Sequence, residues 1–280
     1  MSAPTHEHLA SLEEIFLAVG RDHDGNHRLK AFLTASGVGW HPHGGRSFIC
    51  RPSTRIVSLG GIPLVAADGH LALASAPEQP FDVAAYRRAT QAMMAHSGMM
   101  SYLNPSDRPA EEMFEMLRTR GEMSVAHTVS VGILVAGVSV AVENEFNAQR
   151  DLVHLSRITV ARTSAQDDPP LVVHNERDVP AFEQALDLAR RLRRSTSTTG
   201  RDDIEAINLI YPAAKATGFI MTASLRSLMK LMQHQQDMGK EREYRDTLSS
   251  IRGNLGFVWP TLFPGELNAH RTTDLEPTQG

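Results

Sequence analysis

An α+β fold, with helices packed on a largely antiparallel sheet, is what the sequence predicts, and three observations carry that expectation. Residues 55–65 and 71–74 are short runs of strand-forming residues around Gly60-Gly61 and Asp68-Gly69, the second pair a hairpin-turn signal. From Pro80 the apolar spacing becomes helical. Between helical stretches lies a Val-rich run, residues 129–142, which alternates poorly but favours a strand by β-branching. Strands first and helices around one strand-like run fit helices laid against a sheet.

Composition sets the limits. The chain has 280 residues, 41% of them hydrophobic, enough to bury a sizeable core as one large domain or one domain with an extension. A net charge of −4 leaves no generalised basic surface for nucleic acid. The single cysteine, Cys50, excludes an intrachain disulfide framework and a Cys-rich zinc site. Residues 129–142 contain Ser and Gly and are too short to span a membrane. No basic-then-apolar leader is visible at the N-terminus, and a reducing, cytoplasmic setting is the default expectation.

In chain order, residues 1–82 read as an N-terminal extension with short strands of its own. Leu12, Ile15, Phe16 and Val19 have helical spacing, and residues 20–26 are rich in turn formers. The pairs His6/His8, His23/His27 and His41/His43 lack a nearby carboxylate or thiolate set, and structural zinc needs four converging ligands, so no metal site is expected. Asp22-His23-Asp24-Gly25-Asn26 has its glycine too early for a calcium loop and no closing Glu; it reads as a turn. The main domain is expected over 83–264. Residues 81–94 and 108–120 are helix candidates, the second with Pro109 at a tolerated first-turn position and Glu111 and Glu112 suiting its N-terminal dipole; residues 97–102 between them read as a loop.

Residues 143–155 and 178–194 are further helix candidates, the latter ending in Arg190, Arg191, Arg193 and Arg194. Such a cluster either grips a phosphate or partner or is a solvated helix end that complements the dipole. Residues 195–200 read as a flexible link, and the tail 265–280 as loose. In residues 219–247, Leu225, Leu228, Met229 and Met232 recur at i, i+3, i+4 and i+7, with Arg226, Lys230 and Gln233 on another face. An amphipathic helix capped by Thr222 or Ser224 and ending by Gly239 is expected; it serves either as a core helix with a solvated back or as a basic recognition stripe.

The run T-A-S-L-R-S-L-M-K-L-M, shortly after Ile210-Tyr211-Pro212, resembles the C-terminal helix of the flavin-dependent thymidylate synthases. In that family an Arg-Ser-Leu helix carries flavin and nucleotide contacts, which points to Ser224 and Arg226; a family Glu matches the spacing of Glu243, and Trp259 stands where an aromatic residue is usual. Ser101-Tyr102 resembles the family's Ser-Phe step, implying that Ser101 contacts the flavin phosphate, and His127 is similarly placed to the family's flavin-side His. Without the resemblance, His127 reads first as a packed histidine at a strand start, its imidazole satisfied by backbone partners.

The family's Arg-His-Arg segment aligns best with His154-Leu155-Ser156, followed by Thr159, Arg162, Ser164 and Gln166. Only two hydroxyl positions survive: Thr159, implied in cofactor binding, and Ser164, implied at the substrate and in catalysis. Asn144-Glu145 looks like the family's Asn-Glu pair but follows His127 too closely for the helix that should intervene. Family arginines at three places become Gln166, Asn208 and Gln235. Charge-assisted bonds to phosphate are about twice as strong as neutral ones, so Gln166 and Gln235 would hold the substrate weakly and Arg162 is expected to supply the missing cation.

The resemblance covers residues 81–263 and implies a homotetramer with flavin sites between subunits. It implies C5-methylation of a uracil nucleotide, UMP or dUMP, with FAD, NADPH as reductant and methylenetetrahydrofolate as carbon donor, and the changed phosphate positions suit a specialist such as the UMP C5-methylases of nucleoside-antibiotic biosynthesis. Cys50 lacks an activating context for a cysteine-dependent mechanism. The same losses also fit a catalytically degenerate flavin- or nucleotide-binding homologue acting as an interaction or regulatory subunit.

Overall fold

The computed structural model describes residues 7–20, 28–43, 46–102, 107–158, 170–195 and 213–264. Helix α1 (Leu12–Gly20) lines up Leu12, Ile15, Phe16 and Val19 as their spacing predicts, and α2 (Arg28–Ala35) packs beside it. Strands β1 (Gly39–His43) and β2 (Arg46–Arg51) form a separate antiparallel ribbon. Then come β3 (Ser53–Leu59), β4 (Ile62–Ala67) and β5 (His70–Leu73). The β4–β5 hairpin turns at Asp68 and Gly69, with φ of 43° and 85°, the pair of positive values that a tight hairpin turn requires.

Helices α3 (Val83–Tyr102) and α4 (Ala110–Thr119) follow, the latter with Pro109 at its N-cap position, one residue before the first turn where it was expected. A 3-10 turn, Met123–Thr128, leads into β6 (Ser130–Ser139), the Val-rich strand. Next are α5 (Val140–Asn147), β7 (His154–Arg157), α6 (Val179–Ser195) and β8 (Ala216–Ser224). The last elements are α7 (Leu225–Leu231), a 3-10 turn Met232–Gln236, and α8 (Arg242–Val258).

One six-stranded sheet, in the order β5-β4-β3-β6-β8-β7, organises these elements, and each neighbouring pair is antiparallel. Of the strands in the first eighty residues, β3, β4 and β5 therefore belong to this sheet, with β3 hydrogen-bonded along β6, and only β1 and β2 form a ribbon apart. Alternation divides the side chains between two faces. Ile133, Val135, Phe219 and Met221 share the main core with Leu228 of α7 and Leu248 and Ile251 of α8. On the opposite face Val57, Leu134 and Ala136 pack against Phe32 and Leu33 of α2 and Ile15 of α1. β6 bends at Gly137, where φ is 75° and an added Cβ would come within 2.7 Å of Val38.

Three expectations change in the structure. Residues 97–102 are the last turns of α3, not a loop: Gly98 lies so close to α4 that a Cβ would come 2.7 Å from Leu117, and that helix–helix contact holds the segment helical. The helix expected over 143–155 stops at Asn147, because His154–Arg157 pair with Phe219–Thr222 as the edge strand β7. Residues 219–224 are strand, not helix, since their backbone groups bond to β6 and β7; the helix begins at Leu225, before a turn closing it well short of Gly239.

Candidate functional site

The two cores leave part of the second sheet face open. Residues directly opposite across antiparallel strands share a face. One such row runs Pro63, Ser58, Gly132, Thr222, His154, and the next holds Ser130 and Ser224. These are small or polar residues; Pro63, Thr222 and His154 are exposed, and Ser58, Ser130 and Ser224 half-buried. Gly132 is required there, because a Cβ would come 2.2 Å from Ser58 Oγ, which lies over it.

At the end of this strip β8 passes directly into α7. Ser224 caps the helix, its Oγ accepting from the Ser227 N–H at 3.1 Å, as its position in the sequence predicts; Thr222, the other cap candidate, points to solvent from the strand. The Ser224 hydroxyl also donates to Ser227 Oγ at 3.1 Å and meets His127 Nδ1 at 3.0 Å. A hydroxyl has one proton, so with that proton on Ser227 the imidazole is the donor to Ser224 through Nδ1–H. The Leu225 N–H donates to Val129 O at 2.8 Å, locking the helix start against the turn that carries His127. Arg226 is half-buried beside them and has no acidic partner among the described residues.

No family model matches the chain, and no curated protein matches it. Among solved structures it is similar to flavin-dependent thymidylate synthase ThyX from Helicobacter pylori complexed with FAD and dUMP, at a TM-score of 0.53 and 14% identity over 62% of this chain and 94% of that one. It is also similar to the UMP/dUMP methylase PolB from Streptomyces cacaoi bound with 5-Br dUMP, at 0.51 and 11% over 74% of this chain and 90% of that one. The fold is that of the flavin-dependent thymidylate synthases. At such identities the fold is what is shared.

On this thymidylate synthase fold the residues singled out from sequence fall into three groups. His127 and Ser224 meet at the β8–α7 junction, and Arg226 follows in the first turn of α7. Ser101 and Gln235 are on the described chain but already engaged. Ser101 is exposed in the last turn of α3 and its hydroxyl donates to Ser97 O at 3.0 Å; contact with a phosphate requires that proton to turn outward. Gln235 Oε1 accepts from Arg252 Nη1 at 3.3 Å, which puts a guanidinium next to a position where one had appeared lost. Thr159, Arg162, Ser164, Gln166 and Asn208 lie outside the described residues. Trp259 is fully buried, and its indole N–H donates to Thr90 at 2.9 Å.

A second polar cluster, not anticipated as such, occupies the opposite end of the β6–β8 ladder. Glu143 and Glu243 are each 7% exposed. Glu143 accepts from Thr217 Oγ1 at 2.8 Å and from Arg157 Nη1 at 3.2 Å, and Glu243 accepts from the buried Ser139 N–H at 2.7 Å. His174 Nε2 stands 3.4 Å from Glu243; that hydrogen bond raises the imidazole above its ordinary value, with burial opposing. Burial lowers the Lys215 ammonium, and the Glu143 charge partly restores it. Glu243 was singled out by the family resemblance; Glu143 carried no signal, because only the pairing of β7 and β8 brings Arg157 and Thr217 to it.

Among the described residues no group of three His, Cys, Asp or Glu side chains is placed to hold a metal ion, and no helix is long and apolar enough to cross a membrane. Arg190 pairs with Asp187 at 3.1 Å, and Arg46 reaches the same carboxylate at 2.9 Å.

Proposed function

We propose that the chain binds FAD and methylates C5 of a uracil nucleotide, UMP or dUMP, with methylenetetrahydrofolate as carbon donor and NADPH as reductant, in a homotetramer whose sites lie between subunits. The observation that carries this reading is the contact of His127 with Ser224 beside an open polar strip of the sheet, with Arg226 in the first turn of the helix that Ser224 caps, on the fold of a flavin enzyme solved with FAD and dUMP and of a methylase solved with 5-Br dUMP.

These residues suit an anionic flavin nucleotide. Arg226 supplies a cation that no acid neutralises among the described residues, and the charge-assisted bond it offers a phosphate is the strong kind. The Ser224 bond to Nδ1 fixes the orientation of the exposed His127 ring. When bound, the flavin supplies the redox and one-carbon chemistry, and the protein's part is to bind, orient and polarise. Ser101 and Thr159 are assigned to the cofactor; Arg162, Ser164, Gln166 and Gln235 to the nucleotide, with Ser164 at the reacting base. Arg252, beside Gln235, joins Arg162 as a source of positive charge.

Purified protein tests the reading in two steps. A bound flavin spectrum, followed by tritium release from C5-labelled UMP or dUMP with FAD, NADPH and methylenetetrahydrofolate, supports it. Flavin uptake without release supports the degenerate binding homologue instead. Protein that takes up no flavin and releases no tritium removes both.

A further inference from the structure

A cleft of about 250 Å³ lies between the N-terminal helices and the second face of the sheet, away from the His127–Ser224 junction. Leu12, Phe16 and Val19 recur at i, i+4 and i+7 on α1, and Leu29 and Phe32 face them from α2. Leu134 of β6 and Ile220 of β8 make the floor. An engineered apolar cavity of about 150 Å³ accepts benzene, so this space holds a ring with a short chain. Phe16 is 56% exposed at its edge, an unusual position for a phenyl ring that a closed core would bury.

The polar groups are few, Arg28 on α2 and Ser156 and Arg157 on β7. Arg28 precedes Phe32 by one helical turn on the same side of α2, is exposed, and has no acidic partner among the described residues. Ser156 faces the cleft from β7, directly opposite Ile220. Arg157 also borders the cleft, but its guanidinium is held by Glu143. An apolar slot lined by a guanidinium that has no acidic partner among the described residues matches an apolar body that ends in a single carboxylate. Ile220 and Ser224 are four residues apart on β8, so the cleft stands about 13 Å from the junction along the strand.

We propose that this cleft is a binding site for a small apolar carboxylate, an aryl or short alkyl acid, with the ring or chain between α1, α2 and the sheet and the carboxylate on Arg28. The site is separate from the flavin and nucleotide reading, and its test uses neither flavin nor turnover.

The probe is 4-phenylbutyrate, titrated into the full chain and followed by calorimetry and by amide shifts of the cleft residues, with 4-phenylbutan-1-ol as its neutral counterpart. The acid is expected to bind with shifts at Leu29, Phe32 and Ile220. Arg28→Ala should weaken the acid roughly tenfold and leave the alcohol unchanged, the scale of one charge-assisted bond. Val19→Trp, at a half-buried rim position, should block both ligands by filling the slot. Absence of binding at millimolar ligand overturns the proposal, as does an Arg28→Ala variant that binds the acid as well as before. A Val19→Trp variant that changes the sedimentation of the protein assigns the cleft to contact between copies and likewise overturns it. Should Val19→Trp fail to fold, the Arg28→Ala comparison decides alone.

Discussion

The two ends of the β6–β8 ladder, about 30 Å apart over its length, carry polar clusters of opposite kinds. At the Ser130–Ser224 end, hydroxyls and an imidazole stand on an open strip and bond mostly to one another. At the Ser139–Ala216 end, two buried carboxylates each hold groups from separate elements: Glu143 joins α5 to β7 and β8, and Glu243 joins α8 to the end of β6. The first cluster can exchange its partners for a ligand at little cost, because water or a ligand atom replaces what is lost. The second cannot, because removing one buried partner strands the others.

That contrast is broken or sharpened by five variants in four predictions, taken here from the largest effect on stability to the smallest. Glu143→Ala leaves the buried Thr217 hydroxyl and the Lys215 ammonium without their carboxylate, and a loss of about 3 kcal/mol is expected from denaturant titration. A loss below about 0.5 kcal/mol, the range of an ordinary surface substitution, would show that this end is not a lock. Ser224→Ala removes a helix cap and should cost about 1 kcal/mol while also releasing His127, so that flavin retention falls with it. Unchanged flavin content in that variant would detach the cap from the site.

The third prediction concerns pH. The Glu243 hydrogen bond raises His174 in the folded chain above its ordinary 6.5. A raised folded value means the contribution is fully present below about pH 6.5 and is lost as pH rises through the folded value. The effect is small, since the His174 side chain is 39% exposed. His174→Gln should flatten the difference in urea midpoint between about pH 6 and about pH 8, and a variant with the wild-type slope would assign that slope to another group.

The smallest stability effect belongs to the open end. His127→Ala and Arg226→Ala should each stay within about 0.5 kcal/mol of wild type, as substitutions outside the core do, yet purify with less bound FAD. Full flavin content in both folded variants would take the cofactor away from this junction.

How much of this was legible follows the range of the forces involved. The Asp68-Gly69 hairpin, the Val-rich β6, helix α6 and the Ser224 cap were readable because each depends on neighbours along the chain: a positive φ, β-branching, helical spacing, a hydroxyl before an apolar run. Residues 219–224 misled because an apolar stretch without clear period suits a strand or a helix, and only hydrogen bonds to β6 and β7 decide. Residues 97–102 misled because Gly98 and two serines read as loop, whereas contact with Leu117 makes the glycine an asset to the helix. At the site, the resemblance singled out His127, Ser224 and Arg226 one by one; their proximity spans 97 residues between His127 and Ser224 and had no local signal.

By itself, then, the sequence determined the strand character of β6, the helix α6 and the hydroxyl cap of α7, since these are written in local propensity and spacing, while the residues that could serve a flavin were singled out by the family resemblance. Tertiary structure alone decided that β3–β5 join β6 in one sheet, that β7 is an edge strand, that Glu143 and Glu243 are buried, and that one sheet face is covered in part by α1 and α2 while the rest stays open. Those outcomes depend on which distant backbone groups pair and which apolar faces meet. Pairing fixes the facing of every side chain in a strand at once, so a single register choice places Thr222 in solvent and Met221 in the core.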